Sequence, residues 1–405
     1  MKPANFTSNK FGMFIHWGFY SMTGLQEQAL ARFNLDSKEY ELLMHSFDPV
    51  NFDPDKIVML AKNAGMKYIC FTAKHHDGFC MWDTKQTDYN IMHTPYRKDI
   101  LKMLADACHR HGMLLSVYYS NPDWHEKSAY NPLSSHQWKS PCPEEGNREK
   151  YIAFVKAQIT ELLTGYGKIY TLFWDIPPRF EDRNINELAR KLMPGILINN
   201  RGYDEGDFAT PEREVPCGNR FDRMTEACQS VGRHSWGYRA NEDYYSARFL
   251  MSSVSKIMAM GGSYLLNIGP KGDGSIPEKA EKLIERIGRW YMSLNGALES
   301  TEPDSYPYAL LDADPFIAVK KEGKTFFHFH NGLSVSAVTF TNAPSVPVCA
   351  RLVNKSLPLS IRYEKLPGVH DGKTGLAMGP YVSLTGFDAD DYADEPVTIE
   401  VAWQE

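Results

Sequence analysis

The sequence lacks the features that mark disulfide scaffolds, zinc-binding modules and membrane-spanning chains. Its cysteines are odd in number and scattered without CxxC spacing, which argues against a disulfide framework or a zinc site: Cys70, Cys80, Cys108, Cys142, Cys217, Cys228 and Cys349. No apolar run reaches about 18 residues, and the stretch "MKPANFTSNK" at the N-terminus has no secretory apolar segment. We expect a cytoplasmic protein, or a periplasmic or secreted one if a signal peptide has been removed.

Blocks of positive charge are absent as well. The 405 residues carry a net charge of -6, and without a basic stretch neither nucleic acid nor a membrane surface is expected as a partner. Small neutral or carbohydrate-like ligands fit better. Aromatic residues make up 13% of the chain, which suits stacking on sugar rings and suits a dense core equally well. The composition gives no prediction of the oligomeric state.

What the sequence does contain, over its first three quarters, is a regular alternation of apolar runs and amphipathic stretches. The apolar runs predict strands over residues 11–18, 66–76, 113–120, 169–175, 196–200 and 263–270. The amphipathic stretches predict helices near residues 55–63, 99–111, 148–163, 184–192, 244–258 and 277–300. Strands that alternate with helices pair in parallel through right-handed crossovers. We therefore predict a (β/α)8-like barrel of the TIM type.

The sequence pattern changes after residue 300, where short strand-like runs are separated by turn residues. These runs include "FIAVKKEGKTFFHFH", "VSAVTF", "VPVCARLV", "SIRYEK" and "PVTIEVAW". They predict an all-β module, a C-terminal β-sandwich. The polar, proline-bearing stretch "TEPDSYP" marks the boundary. We predict a catalytic domain over residues 1–302 and a sandwich domain over residues 303–405.

Polar residues recur at the carboxyl ends of the predicted barrel strands. They are His16, His75, His76, Asp77, Tyr118, Tyr119, Asp175, Asn200, Arg201 and Asn267. Parallel barrels build their active sites at these ends, from several strands at once. Asp175 stands out because it lies where a buried strand breaks, and a carboxylate there needs a partner or a chemical role.

A metal site is one alternative for this group. His16, His75, His76 and Asp175 are residue types that zinc accepts as ligands. Neighbouring residues in a strand point to opposite faces, so His75 and His76 are poorly arranged for one ion. Beyond the end of a strand, both side chains can still reach one sugar. We predict neither a metal nor a cofactor.

Seven motifs resemble, in this order and at similar spacing, those of the α-L-fucosidases of glycoside hydrolase family 29: "FGMFIHWGFYS", "KHHDGFCMWDTK", "VYYS", "LFWD", "DFATPE", "SWGY" and "LLNIGPKGDGSIP". The resemblance runs from about residue 11 to residue 277. It implies a retaining, exo-acting fucosidase, with a barrel followed by a β-sandwich, that acts on fucosylated oligosaccharides or glycoconjugates.

The resemblance also implies roles for individual residues. Asp175 is similar to the nucleophile that forms a covalent glycosyl-enzyme, and Glu212 in "DFATPE" to the acid/base, with Glu226 in "MTEAC" as the alternative. The fucose-binding positions that it implies are His16, Glu27, His75, His76, Tyr118 and Arg201.

Trp82 and Phe173 are candidate apolar walls for the methyl group of fucose. The chain departs from the family pattern after Glu27, where Gln28 stands in place of the usual Trp, so the rim of the pocket is expected to differ. Two other functions stay open: a carbohydrate-binding barrel that has lost catalysis, and a metal-dependent barrel hydrolase. The sequence does not predict which fucosyl linkage is cleaved.

Overall fold

The computed structural model describes Phe6 and residues 8–129, 146–311, 314–367 and 378–404. Cys142 lies outside these ranges. The six cysteines inside them are free thiols, four of them buried.

One parallel sheet of seven strands forms the wall of the barrel. The strands are β1 (Phe11–Ile15), β2 (Tyr68–Lys74), β3 (Leu114–Ser120), β4 (Ile169–Asp175), β5 (Leu197–Ile198), β6 (Glu226–Ser230) and β7 (Ser263–Ile268). Their order across the sheet is β5-β4-β3-β2-β1-β7-β6. Nearly every residue in them is buried, as expected for parallel strands covered on both faces.

An extended segment, residues 207–213, closes the barrel between the two edge strands. Phe208 is bridged to Asn199 on the β5 side, and Glu212 is bridged to Cys228 of β6, both in parallel. We call this segment the closing segment. Pro211 has no backbone N–H to give to a ladder, which accounts for isolated bridges in place of a regular strand. The predicted (β/α)8-like architecture is confirmed, with the eighth wall position filled by irregular chain.

Among the described residues, eight α-helices cover the barrel; the last six lie close to the predicted positions, and the first two were not predicted. They are α1 (Ala29–Arg32), α2 (Ser37–Leu42), α3 (Pro54–Asn63), α4 (Ile100–His111), α5 (Arg148–Gly165), α6 (Asn184–Leu192), α7 (Ala247–Ala259) and α8 (Glu278–Ser293). Short 3-10 helices lie at Phe19–Thr23, Leu43–Ser46, Ile91–His93, Lys127–Ala129, Val353–Lys355 and Ala389–Tyr392. Several begin at a capping side chain: Asp53 and Asp99, for example, each accept a backbone N–H three residues on. Within the described ranges, every helix is too short or too polar to cross a membrane.

Two antiparallel sheets follow the barrel and confirm the predicted β-sandwich. The first contains β8 (Glu302–Pro303), β10 (Ile317–Lys321), β11 (Lys324–Phe329), β13 (Pro347–Leu352), β14 (Leu357–Pro358) and β17 (Val397–Trp403). The second contains β9 (Ala309–Leu310), β12 (Val338–Asn342), β15 (Ser360–Pro367) and β16 (Met378–Thr385). Phe327, Phe340 and Ile399 belong to the core between them.

The first sheet of the sandwich also packs against the barrel. Ile317, Val319 and Phe326 belong to the same apolar cluster as the barrel helices, and the Trp290 indole of α8 donates a hydrogen bond to the Pro396 carbonyl at 3.1 Å. The division of the chain at residues 302 and 303 stays a prediction.

Candidate active site

A cavity of about 450 Å³ opens at the carboxyl ends of the barrel strands. Eight of the ten sequence-predicted site residues line it: His16, Glu27, His75, His76, Tyr118, Phe173, Asp175 and Glu212. Arg201 lies behind the two carboxylates and contacts both of them. Trp82 is the one predicted residue that lies away from the cavity. Strand ends that are far apart in the sequence therefore converge on one pocket, as the parallel topology requires.

Asp175 is the last residue of β4, and its carboxylate is held from both sides. Oδ1 accepts hydrogen bonds from Arg201 Nη1 at 2.8 Å and from the backbone N–H of Ile176 at 3.0 Å. Oδ2 accepts one from the Tyr118 hydroxyl at 2.6 Å. Burial alone raises the pKa of Asp175, but the charges of His76 and Arg201 and these hydrogen bonds outweigh it and lower that pKa below its ordinary value. Asp175 is therefore ionised at neutral pH.

The residue that follows Asp175 has a strained backbone. Ile176 has φ of 58°, a left-handed conformation that a β-branched residue rarely adopts. The turn aims its N–H at Oδ1 of Asp175. Strain of this kind costs about 1–3 kcal/mol and persists where the surrounding structure enforces it, often at active sites. Arg213, directly after Glu212, is also left-handed, with φ of 53°.

Glu212 lies on the closing segment and faces solvent more than Asp175 does. Its side chain is 43% exposed, against 12% for Asp175. Glu212 Oε1 accepts a hydrogen bond at 2.8 Å from Nη1 of Arg201, the same nitrogen that binds Asp175. Asp175 Oδ1 and Glu212 Oε1 therefore lie no farther apart than twice 2.8 Å. Arg201 is itself anchored by a hydrogen bond to the Thr210 carbonyl.

Glu226, the alternative acid/base, lies at the other end of the barrel. It is the first residue of β6, and Oε1 accepts a hydrogen bond at 2.6 Å from Tyr68, the first residue of β2. Burial raises the pKa of Glu226 to about 7. Glu226 is absent from the described lining of the cavity. A group at the amino end of the strands cannot contact a ligand held at their carboxyl ends.

His16 presents a defined hydrogen-bond acceptor to the pocket. Asn267 donates its amide hydrogens to Ser230 Oγ at 3.0 Å and to the Trp236 carbonyl at 2.6 Å, so its Oδ1 faces His16 Nδ1 at 2.7 Å. Nδ1 of His16 must then carry the proton. Burial lowers the pKa of His16 to about 4, so the ring is neutral at pH 7. Its Nε2 lone pair is left to accept a hydrogen bond from a ligand hydroxyl.

His75 and His76 line the same pocket because β2 ends at Lys74, before them. The ring of His75 lies parallel to Tyr118, with centroids 5.7 Å apart. His76 Nδ1 lies 2.6 Å from Ser120 Oγ, whose own proton goes to the Pro122 carbonyl. His76 is therefore the donor in that contact, and its Nε2 lies 3.7 Å from Asp175 Oδ2.

Glu27 is fixed by the loop that carries Trp236. Its Oε2 accepts hydrogen bonds from Ser235 Oγ at 3.0 Å and from the backbone N–H groups of Trp236 and Gly237 at 3.0 and 2.9 Å. A side chain at position 237 would come within 3.1 Å of Glu27 Cβ and 2.9 Å of Tyr20. Only glycine lets the loop approach Glu27 this closely.

Sequence reasoning missed Trp236 and Arg213, which both line the pocket. Trp236 stacks on His16 with centroids 5.2 Å apart, and the Arg213 guanidinium lies 4.5 Å from the Trp236 ring centroid. The motif "SWGY" was the available signal for Trp236. No sequence signal pointed to Arg213, because its position in the fold depends on the irregular closing segment.

The two predicted apolar walls have different positions. Phe173 lines the pocket, stacks on Tyr118 at 5.8 Å and lies 5.7 Å from the Arg201 guanidinium. Trp82 is fully buried in the main apolar core, and its indole N–H donates to Glu161 at 3.1 Å. The prediction that Trp82 contacts the sugar is therefore corrected.

The arrangement is suited to cleaving glycosides. It combines a buried, ionised carboxylate with a second, solvent-facing carboxylate, and histidine and aromatic rings surround them. Among the described residues, no three His, Cys, Asp or Glu side chains are placed to hold a metal ion. A parallel barrel with such a carboxylate pair at its carboxyl end is the architecture of a glycoside hydrolase.

Comparison with known proteins gives the family. The family model described as Alpha-L-fucosidase matches residues 1–297, and the chain belongs to the α-L-fucosidase family, the glycoside hydrolases that release α-L-fucose. The plasma α-L-fucosidase of Homo sapiens is 26% identical over 323 residues, covering 73% of this chain and 68% of the human protein. The plasma α-L-fucosidase of Rattus norvegicus is 25% identical over 372 residues, covering 84% and 80%.

Solved structures agree with this assignment. The α-L-fucosidase isoenzyme 1 from Paenibacillus thiaminolyticus superposes with a TM-score of 0.87 at 26% identity, covering 99% of this chain and 98% of that one. The α-L-fucosidase from Vibrio sp. strain EJY3 has a TM-score of 0.84 at 24% identity, covering 98% and 72%, and supports the fold. The likeness extends over the barrel and the sandwich together.

Proposed function

We propose that this chain is a retaining, exo-acting α-L-fucosidase that removes terminal α-L-fucose from fucosylated oligosaccharides or glycoconjugates by double displacement. Asp175 is the nucleophile and Glu212 is the acid/base. The observation that carries the proposal is the single Arg201 nitrogen hydrogen-bonded to both carboxylates at 2.8 Å. The two bonded oxygens are at most twice 2.8 Å apart, which supports the roughly 5 Å carboxyl separation of retaining enzymes over the roughly 6.5–9.5 Å of inverting ones.

In the first step, an oxygen of Asp175 attacks the anomeric carbon while the bond from that carbon to the leaving oxygen breaks. Glu212 gives its proton to the leaving oxygen, so the aglycone departs as a neutral alcohol. In the second step, Glu212 takes a proton from water, the water oxygen bonds to the anomeric carbon, and the bond to Asp175 breaks. Two inversions give net retention.

The surrounding groups suit these roles. Tyr118, Arg201 and the Ile176 N–H keep Asp175 ionised and ready to attack. Glu212 has to exchange its contact with Arg201 for one with the glycosidic oxygen as substrate binds. Its exposed side chain and the irregular segment that carries it leave room for that movement.

The fucose hydroxyls are assigned to the polar groups deep in the pocket. His16 accepts through Nε2, and Glu27 accepts through its carboxylate. Hydrogen bonds that strengthen as positive charge develops on the sugar lower the barrier, because they favour the transition state over the ground state. Phe173 and Trp236 give the pocket apolar faces for the C6 methyl.

The stereochemistry of the first-formed sugar tests the proposal. Proton NMR during hydrolysis of an aryl α-L-fucoside should show α-fucose first, and initial release of β-fucose would contradict double displacement. We expect the activity to survive dialysis against a chelator. If activity is lost and one divalent metal restores it, a metal-dependent hydrolase is favoured.

The other alternative is a carbohydrate-binding barrel without catalysis. It is favoured if the chain binds fucosides and cleaves none of them.

A further inference from the structure

Three arginines, Arg32, Arg213 and Arg233, line the outer part of the pocket. We call them the rim arginines. Arg32 and Arg233 are exposed and Arg213 is half-buried, whereas Asp175 and Glu27 are buried in the interior. The pocket is thus acidic inside and basic at its mouth. This polarity is local, because the chain as a whole carries a net charge of -6.

The positive charges at the mouth are not neutralised by the protein. Within the described part of the chain, no carboxylate lies within 4.0 Å of a rim arginine nitrogen. Arg213 donates to the carbonyls of Gly232, Arg233 and Ser235 and lies over the Trp236 ring, so its position is fixed although no described carboxylate pairs with its charge.

Two acidic groups that follow the rim arginines in the chain, Glu242 and Asp243, contact His234 instead of a rim arginine. Glu242 accepts the backbone N–H of His234 at 2.8 Å, and Asp243 lies 3.0 Å from His234 Nε2. Inside the pocket, Asp175 and Glu212 share Arg201, and Glu27 has three donors. Among the described residues, the rim arginines therefore have no carboxylate partner, and they line the pocket.

Arg32 is also oriented toward the opening by the residue that departs from the family pattern. Gln28 Oε1 accepts a hydrogen bond from Arg32 Nε at 3.0 Å, one turn away on the same short helix. Both residues line the pocket. The terminal nitrogens of Arg32 are left to bind a ligand, and a planar guanidinium matches the paired oxygens of a sulfate or a carboxylate.

We propose that the rim arginines bind a sulfate or carboxylate group on the sugar next to the fucose, so that the preferred substrates are anionic fucosylated glycans. The inference rests on the proposed function, since it takes the fucose to fill the interior and the leaving sugar to lie beyond Glu212. Arg213 follows Glu212 directly in the chain, which brings positive charge to the side where the leaving sugar departs.

Matched substrates test the inference. For each of the α1,2, α1,3, α1,4 and α1,6 linkages, kcat/KM is measured on a neutral fucosylated oligosaccharide, on its sulfated form and on its sialylated form. In every linkage that is cleaved, we expect at least one anionic form to exceed the neutral one by about tenfold at low salt, and the advantage to shrink in 0.5 M NaCl. The sulfated and sialylated arms distinguish the two sources of negative charge.

Substitutions locate the effect. Arg32→Gln combined with Arg233→Gln should bring the ratio of anionic to neutral kcat/KM close to one. Arg289→Gln is the matched control, because it removes the same charge from an exposed position of α8 outside the pocket, and the ratio should persist.

An equal kcat/KM for anionic and neutral forms in every linkage, or a preference that survives the double substitution, would overturn the inference. Release of fucose from a neutral aryl fucoside tests the proposed function separately. Its absence would count against the enzyme activity, and its presence without an anionic preference would count against the rim site alone.

Discussion

Two carboxylates buried in the same barrel, Asp175 and Glu226, behave in opposite ways. Asp175 ends a strand, touches a guanidinium and a phenol, and has a lowered pKa. Glu226 begins a strand, its carboxyl group has Tyr68 as its one described hydrogen-bond partner, and burial raises its pKa to about 7. Burial favours the neutral acid unless opposite charge is supplied. The carboxyl end of the barrel supplies that charge, and the amino end does not.

Residue type and burial alone therefore do not separate the carboxylate in the pocket from the carboxylate in the core. Oε2 of Glu226 has no hydrogen-bond partner among the described residues, which fits a protonated acid in a packed core. The direction of the strand on which each group lies separates the two. Asp175 faces the pocket because it is last in β4, and Glu226 faces away because it is first in β6.

Removing Asp175 should have the largest effect. Asp175→Ala should lower kcat by about four orders of magnitude or more while circular dichroism stays unchanged, because binding energy cannot replace a missing nucleophile. Azide should partly restore cleavage of an activated aryl fucoside and yield β-fucosyl azide. Near-normal turnover in this variant would remove Asp175 from the mechanism.

Glu212→Ala should be selective for the leaving group. Natural fucosides need protonation and should lose about 10²–10⁴-fold in kcat/KM, whereas a dinitrophenyl fucoside should keep its first step and show a burst followed by slow turnover. Azide should relieve the slow second step.

Glu226→Gln is the control for that experiment, since Tyr68 can still donate to the amide oxygen. Its effect on all substrates should be small and uniform. Should the burst and the azide response belong to the Glu226 variant, the two residues would have to exchange roles.

The pH dependence of stability should differ between the wild-type protein and Glu226→Gln. The folded pKa of Glu226, about 7, lies above the ordinary value of 4.5, so the folded state binds more protons across this interval and wild-type stability falls as pH rises through it. The loss is on the order of 3 kcal/mol, and the Gln variant should not share it. Urea denaturation of both proteins at pH 5, 6, 7 and 8 measures the difference, and parallel curves would refute a raised pKa.

The smallest effect concerns Trp82, which follows the histidines in sequence but lies outside their pocket. Trp82→Phe should cost about 1–2 kcal/mol in the free energy of unfolding, because a hydrogen bond to Glu161 is lost, and should leave kcat/KM nearly unchanged. Phe173→Leu should instead raise KM, by about tenfold, with a small loss of stability. An equal rise in KM for both variants would show that Trp82 does contribute to substrate binding.

Local pattern was enough to predict most strands and helices, because buried parallel strands read as continuous apolar runs and the helices are amphipathic. It also placed Asp175, His75 and His76 at strand ends. The family motifs supplied Glu27 and Glu212, which no periodicity would have found. Trp82 was wrongly predicted to line the pocket. It is close to His76 in the sequence, but the chain turns sharply at Gly78, with φ of 81°, and carries Trp82 into the core instead.

The pattern failed where the chain is irregular. The strand β6 and the closing segment were not predicted, since "MTEACQS" mixes polar and small residues and Pro211 interrupts the other stretch. Both are held in place by partners far along the chain, such as Ser263 opposite Glu226. The rim arginines could not be grouped from the sequence for the same reason.

The closing segment ties the two edges of the barrel wall together. On one side the Asp207 N–H donates to the Ile198 carbonyl, and on the other the Glu226 N–H donates to the Ala209 carbonyl and the Arg213 N–H to the Cys228 carbonyl. Opening the wall at this segment would break hydrogen bonds on both sides, so the wall should stay closed during turnover. Glu212, whose side chain is 43% exposed, can then change its hydrogen-bond partner by turning its side chain, while the backbone on either side of it stays in place.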